Sequence, residues 1–498
     1  MRKGMWSLLA AALLLAATAQ AQVKLPFLFT DGLVLQREQP VRIWGEAAPG
    51  ERVGVAFRGE EKSATADDLG HWELFLSPKA AGGPFELTVK ASNQIVLHDV
   101  LVGDVWVASG QSNMELPLTR ADNGKQLIAA ANNPKIRILR VRKQGSEFPL
   151  RDTVADAPWG RLSPETTPEF SAIAYYFATE IQQKEDVPIG IISSLWGGTV
   201  AEAWTSLEGL ASDASLMPLF TARARMVANR ADNDLIDASE KRAKDADKAA
   251  DKPEPDFPWR PWPAMWAPSQ LYNAMIAPVT RYTIKGVIWY QGESNSIKSR
   301  VDGYPQLYAK VFPLMIRDWR EHWGEGDFPF LFVQLPNFKS WDGEDWAVIR
   351  EAQRKALCLR NTAMVEAIDV GNPDNVHPTN KQPVGHRLAL AARATVYGEN
   401  VEFSGPLFRQ ATVEDGALRV WFDHAAGLTA KGGEVKGFEI AGADGNFVPA
   451  TAKIEGSTVI VSNDKVKYPV IVRYGWANNP EVNLFNAEGL PAAPFASK

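Results

Sequence analysis

Val105-Trp106-Val107-Ala108-Ser109-Gly110-Gln111-Ser112-Asn113-Met114 reads as a buried strand running into a tight polar turn. Its first four residues are apolar without alternation, the pattern of a strand buried on both faces. Gly110 then breaks the strand and leaves Ser112 in a turn. The same pattern recurs along the chain in Ile189-Gly190-Ile191-Ile192, Gly286-Val287-Ile288-Trp289, Phe330-Leu331-Phe332-Val333 and Ala363-Met364-Val365-Glu366-Ala367. Helical stretches are expected between these strands, near 170–185, 304–322, 345–358 and 383–397. Repeated strand–helix units of this kind predict an α/β domain over residues 101–400, a mostly parallel sheet covered on both faces. In such sheets the site lies outside the carboxyl ends of the strands.

The flanks read differently. Val41-Arg42-Ile43-Trp44, Val53-Gly54-Val55-Ala56-Phe57 and Phe85-Glu86-Leu87-Thr88-Val89 lie between Gly- and Pro-bearing turns, which predicts a sandwich-like β module over 22–100. Ala417 to Phe422, Thr458 to Val461 and Val470 to Tyr474 predict a second over 401–498. Residues 221–264 interrupt the α/β rhythm with a charged helical run at 240–252 and a Pro- and Trp-rich segment. One reading makes them a solvated excursion, the other a rim over the cleft that contributes Trp259 and Trp262. At the start, Arg2 and Lys3 precede an apolar run ending in Ala19-Gln20-Ala21, the form of a secretory signal peptide cleaved after Ala21. The expected location is therefore periplasmic or secreted, without a membrane anchor. The single Cys358 excludes an intrachain disulfide. Fifty-three basic against 59 acidic residues give a net charge of −6, with no electrostatic footprint for nucleic acid.

Chemistry concentrates where small polar residues follow apolar strands. Gly110-Gln111-Ser112-Asn113 offers a hydroxyl, although Ser in a loop is commonly a capping or turn residue. Trp196-Gly197-Gly198-Thr199 lets backbone N–H groups approach an oxyanion, or is a plain turn. Gln291 and Asn295 offer amide donors, and Glu293 an acceptor for a sugar hydroxyl; loop capping is the plainer role for all three. Of six His residues, His377 alone stands in a loop beyond a predicted strand with a carboxylate, Asp374, three residues before it. A Ser nucleophile needs a base, and the base an orienting carboxylate, so Ser112, His377 and Asp374 form a candidate triad. A cation held by His377, Asp374 and Glu293 is the competing reading, but there is no H-E-x-x-H, no Cys cluster and no second His in such a loop.

These blocks resemble the sialate O-acetylesterase family of SGNH-type hydrolases. Val105 to Met114 is similar to its nucleophile block, Ile288 to Asn295 to its third block, and Asp374 to His377 to its D-x-x-H block. Leu33-Val34-Leu35-Gln36-Arg37 and Asn486-Ala487-Glu488-Gly489-Leu490-Pro491-Ala492 extend the likeness into both flanks. The resemblance implies a flavodoxin-like SGNH domain and a serine esterase acting on O-acetylated sugars, with no metal or organic cofactor. Ser112 would be the nucleophile, His377 the base and Asp374 its orienter. Typical members place G-x-N-D in the third block. Here Glu293-Ser294-Asn295 follows Gly292, which makes Gln291 the first-choice side-chain donor to the oxyanion and Asn295 the second, beside the Ser112 and Gly198 N–H groups. Gln111, Asn113, Trp196, Gly197, Glu293 and Asn295 are the expected supporting or substrate-binding residues. The implied substrate is 9-O-acetylated sialate. Acetylated plant polysaccharide such as xylan is the nearest alternative, and a non-catalytic carbohydrate-binding protein an alternative of another class.

Overall fold

The computed structural model describes residues 22–253, 255–257, 260, 263–340 and 343–497. The expected leader and the pair Trp259 and Trp262 lie outside them. At the centre is β1 (Gln94–Gly110), 17 residues long. Its first part pairs antiparallel with Gly82–Lys90, and its last part forms the middle of a second array. Thus one continuous strand passes across residue 100, from the N-terminal strands into the α/β sheet.

That sheet also contains β2 (Asn133–Val141), β3 (Ala155–Leu162), β4 (Ile189–Leu195), β5 (Gly286–Tyr290), β6 (Phe330–Gln334) and β7 (Thr362–Glu366), in the order β7-β6-β5-β1-β4-β2-β3. All pairs are parallel except β2 with β3. The chain leaves β1 toward one edge and returns to its other side at β5, so β1 marks the point where the strand order reverses.

Two tryptophans show that both faces are covered. Trp106 lies opposite Gly286 in the register, and Trp289 is three residues further along β5, on the other face. Trp106 packs edge-on against Phe177 of α2 (Ala172–Glu185) at 5.0 Å, following the short helix α1 (Ser112–Glu115) in the chain. Trp289 packs against Phe312 and Trp319 of α4 (Tyr304–Trp323). Ser171 caps α2, its hydroxyl accepting from Ala174 N at 3.2 Å, and Gly324 at φ 70° ends α4. The helices α5 (Trp346–Lys355) and α6 (Gln382–Thr395) complete the layers near their expected positions.

The hairpin of β2 and β3 was not among the expected strands. Its pattern is broken by Arg137, which is 1% exposed yet donates to both oxygens of Asp99 at 3.0 and 2.9 Å. The charged run near 240–252 belongs to α3 (Arg230–Ala249), a helix with no buried residue, which Arg260 ties down through Asp237.

N-terminal strands share the main apolar core with the α/β layers, through Ile43, Val53, Val55 and Val89. The C-terminal strands form two four-stranded sheets and a two-stranded ladder around a second core that includes Val420, Ile440, Val461, Val472 and Phe495. Among the described residues no helix is long and apolar enough to cross a membrane.

Candidate active site

Register brings the first three turns side by side. Gly110 at the end of β1 faces Leu195 of β4 on one side and Tyr290 of β5 on the other. Gly110 has φ +137°, and a Cβ on it would stand 2.2 Å from the Tyr290 carbonyl oxygen, so only glycine fits. The chain then reverses, Gln111 N donating to Tyr290 O at 3.0 Å, and Ser112 opens α1. Ser112 lies on the wall of a cleft of about 460 Å3 that it shares with Gln111, Gly197, Gly198, Glu293, Ser294 and His377.

The second turn is pressed onto the first. Gly197 N donates to Glu115 Oε2 at 2.5 Å, and a Cβ on Gly197 would lie 3.0 Å from Ser112 Cβ. Gly198 has φ +74°, and its carbonyl accepts from Trp266 Nε1 at 2.8 Å. The Ser112 and Gly198 amide N–H groups enter no hydrogen bond among the described residues. Trp196, expected as a supporting residue, is partly buried against the main core and does not line the cleft.

In the third turn, Gly292 at φ +147° lets Gln111 Oε1 accept from Gly292 N and Ser294 N, both at 3.3 Å. Glu293 reaches the cleft wall. Its Oε1 accepts from Asn113 Nδ2 at 2.7 Å, and burial raises its carboxyl above the usual range. Gln291 and Asn295 do not reach the cleft, so the side-chain oxyanion donor expected from either is not in place. Gln291 Nε2 donates instead to Thr199 O at 3.1 Å and to Asn295 Oδ1 at 2.7 Å. Asn295 also accepts from Ala201 N at 2.9 Å and donates to Glu202 at 3.0 Å. Both amides thereby brace the turn that presents Gly198.

The fourth loop follows β7. His377 faces the cleft, and burial, with the nearby cations Lys381 and Arg120, pushes its imidazole down to about 4. Asp374 is not brought to it. Asn372 Oδ1 accepts from Asp374 N and Asn375 Oδ1 from His377 N, both at 2.9 Å. These two tight turns direct the Asp374 carboxylate outward, where its side chain is 82% exposed and 3.5 Å from Lys339 Nζ.

Four cleft residues escaped the sequence reading: Trp266, Ile297, Glu344 and Trp346. Trp346 Nε1 donates to Glu344 Oε2 at 2.9 Å. Lys381 was missed as well, although it is the Lys nearest to His377 in sequence. It is buried behind the cleft, and desolvation pulls its ammonium down to about 7. A serine and a neutral imidazole on one cleft, beside two unengaged amide N–H groups, can perform acyl transfer.

A family model described as carbohydrate esterase, sialic acid-specific acetylesterase, matches residues 261–394, which hold the third turn and the His377 loop. The chain is 32% identical to a sialate O-acetylesterase from Mus musculus, over 94% of this chain and 92% of that one. It is 31% identical to one from Homo sapiens, over 93% and 90%. Among solved structures, a carbohydrate acetylesterase from Xanthomonas citri is similar with a TM-score of 0.81 and 40% identity, covering 96% of this chain and 100% of that one.

Proposed function

The chain belongs to the sialate O-acetylesterase family, and from that premise we propose that this carboxylic ester hydrolase removes O-acetyl groups from sialic acid, the 9-O-acetyl ester foremost. The observation that carries the reading is the meeting of Ser112, His377 and Gly198 on one cleft.

Ser112 Oγ attacks the acetyl carbonyl while His377 takes its proton. The tetrahedral oxyanion is received by the Ser112 and Gly198 N–H groups, which donate to no acceptor among the described residues. His377 then protonates the leaving sugar hydroxyl, and water attacks the acetyl-Ser112 ester with His377 again as base, releasing acetate. Gln291 and Asn295 support the Gly198 turn from behind. In this reading Asp374 stays outside the site, and His377 is held by its loop.

The α/β domain is read as flavodoxin-like, of SGNH type, because removing the β2–β3 hairpin leaves the doubly wound order β4-β1-β5-β6-β7. The flanking modules are read as sandwich-like supports, and the leader as directing export to the periplasm or beyond.

The test is acetate release from 9-O-acetylated sialic acid by the purified protein, with Ser112→Ala as control. Release by wild type alone supports the reading. Ser112-dependent cleavage of an aryl acetate without release from sialate moves the substrate to other acetylated glycans, and a wild-type rate in Ser112→Ala overturns the nucleophile.

A further inference from the structure

We propose that Lys381 is a positioning residue of this esterase reaction: through the Asn113 side-chain amide it fixes the Ser112 turn against the His377 loop. The inference rests on the Ser112–His377 reading above.

Lys381, immediately before α6, is 1% exposed, and its Nζ donates to Asn113 Oδ1 at 2.5 Å. An ammonium has only donors, so the carbonyl end of the amide must face it. That choice turns Asn113 Nδ2 the other way, where it donates to Glu293 Oε1 at 2.7 Å and to Val376 O at 2.9 Å. One amide, on the residue after Ser112, therefore joins three of the four turns. Its last partner is the carbonyl directly before His377.

That bond matters because Asp374 points away from the imidazole. The described structure gives His377 no carboxylate to hold it, and the backbone on either side of its peptide does so instead: Val376 O toward Asn113, and His377 N toward Asn375. A flipped Asn113 would set its NH2 group against the ammonium and its carbonyl oxygen against Glu293 and Val376 O. All three contacts would become repulsive. Burying an ammonium with one hydrogen-bond acceptor is costly, and here Glu293 on the far side of the same amide offsets part of that cost. A methionine of similar length would avoid the desolvation altogether, so the role that distinguishes lysine here is orientation.

The same charge bears on His377. The groups around the imidazole are Lys381 and Arg120, both of which push it toward neutrality, Glu293 and Glu344 on the cleft wall, and Asp374 on its own loop, turned toward Lys339.

The experiment compares Lys381→Met, Asn113→Asp and the double variant in acetate release from 9-O-acetylated sialic acid, with thermal melting to establish folding. Lys381→Met should lower kcat by about 10–100-fold, the scale of a sub-ångström misplacement, with KM within about twofold. The acid limb of its kcat/KM profile should move to higher pH, because a cation beside His377 is gone; a merely structural loss would not move it. Asn113→Asp keeps an acceptor for Lys381 but sets a carboxylate oxygen against Val376 O and Glu293, so its kcat should fall at least as far. The double variant should lose no more than the worse single one. Wild-type kcat and an unmoved acid limb in folded Lys381→Met would overturn the proposal. If Lys381→Met does not fold, folded Asn113→Asp with wild-type kcat overturns it. Activity persisting in Ser112→Ala would instead sink the esterase assignment, which keeps the two failures apart.

Discussion

A single methyl group at Gly197 should separate Ser112, the proposed nucleophile, from the Gly198 N–H proposed to receive the oxyanion. The Cβ of Gly197→Ala would lie 3.0 Å from Ser112 Cβ and 3.1 Å from Glu115 Oε2. Carbon atoms in good contact are about 3.5–4.0 Å apart, so the two turns must part by a few tenths of an ångström. Gly198, the next residue, moves with its neighbour, and its N–H leaves the position where the oxyanion forms. A shift of this size costs up to about 10²-fold, and complete loss of one donor about 10²–10³-fold. The expected fall in kcat is therefore about 10–100-fold, with a stability loss of about 1–3 kcal/mol from overpacking. Initial rates of acetate release give the first quantity and thermal melting the second. A kcat within twofold of wild type, in a folded protein, would refute the placement of the Gly198 amide in the reaction.

Three further outcomes follow from named contacts. Asp374→Asn should lower kcat less than about tenfold, because the carboxylate faces Lys339; a loss near 10⁴-fold, the scale of disabling a working triad carboxylate, would show that Asp374 reaches His377 during turnover. His377 must be neutral to take a proton, and its imidazole is pushed down to about 4, so kcat/KM should stay flat as pH falls and drop only near that value; a limb near pH 6.5 would contradict the burial argument. Glu366 is fully buried with its carboxyl raised to about 7, so between about pH 4 and 7 the folded protein keeps a proton that the unfolded chain releases, and stability falls as pH rises through that window. Glu366→Gln should remove this dependence and stabilise the protein at pH 8 by up to about 3 kcal/mol, read from denaturant unfolding at pH 5 and pH 8; equal effects at both would refute it.

The parallel strands were legible because burial on both faces leaves uninterrupted apolar runs, and the first three turns because Gly or small polar residues follow their runs. Ser112 stood out for that reason and His377 for its loop beyond a predicted strand, and the structure places both on one cleft. The β2–β3 hairpin escaped because Arg137, a charged residue, occupies an inward position and is neutralised by Asp99, far away in sequence. Gln291 was legible as an amide donor but not in its direction. Whether it faces the cleft or Thr199 depends on Asn295 and Glu202, which only the folded chain assembles. Asp374 teaches the same lesson: spacing from His377 is sequence information, whereas the Asn372 and Asn375 turns that aim its carboxylate outward are local geometry. Lys381 reads as an ordinary surface lysine until α6 carries it behind Asn113.

Ser112 should become acetylated during turnover. Rapid acid quench of the protein mixed with 9-O-acetylated sialic acid, followed by peptide mass mapping, tests it directly. One acetyl group is expected on the peptide holding Ser112, and none on that peptide in Ser112→Ala. Turnover without acetylation at Ser112, or with the acetyl group on another residue, would contradict it.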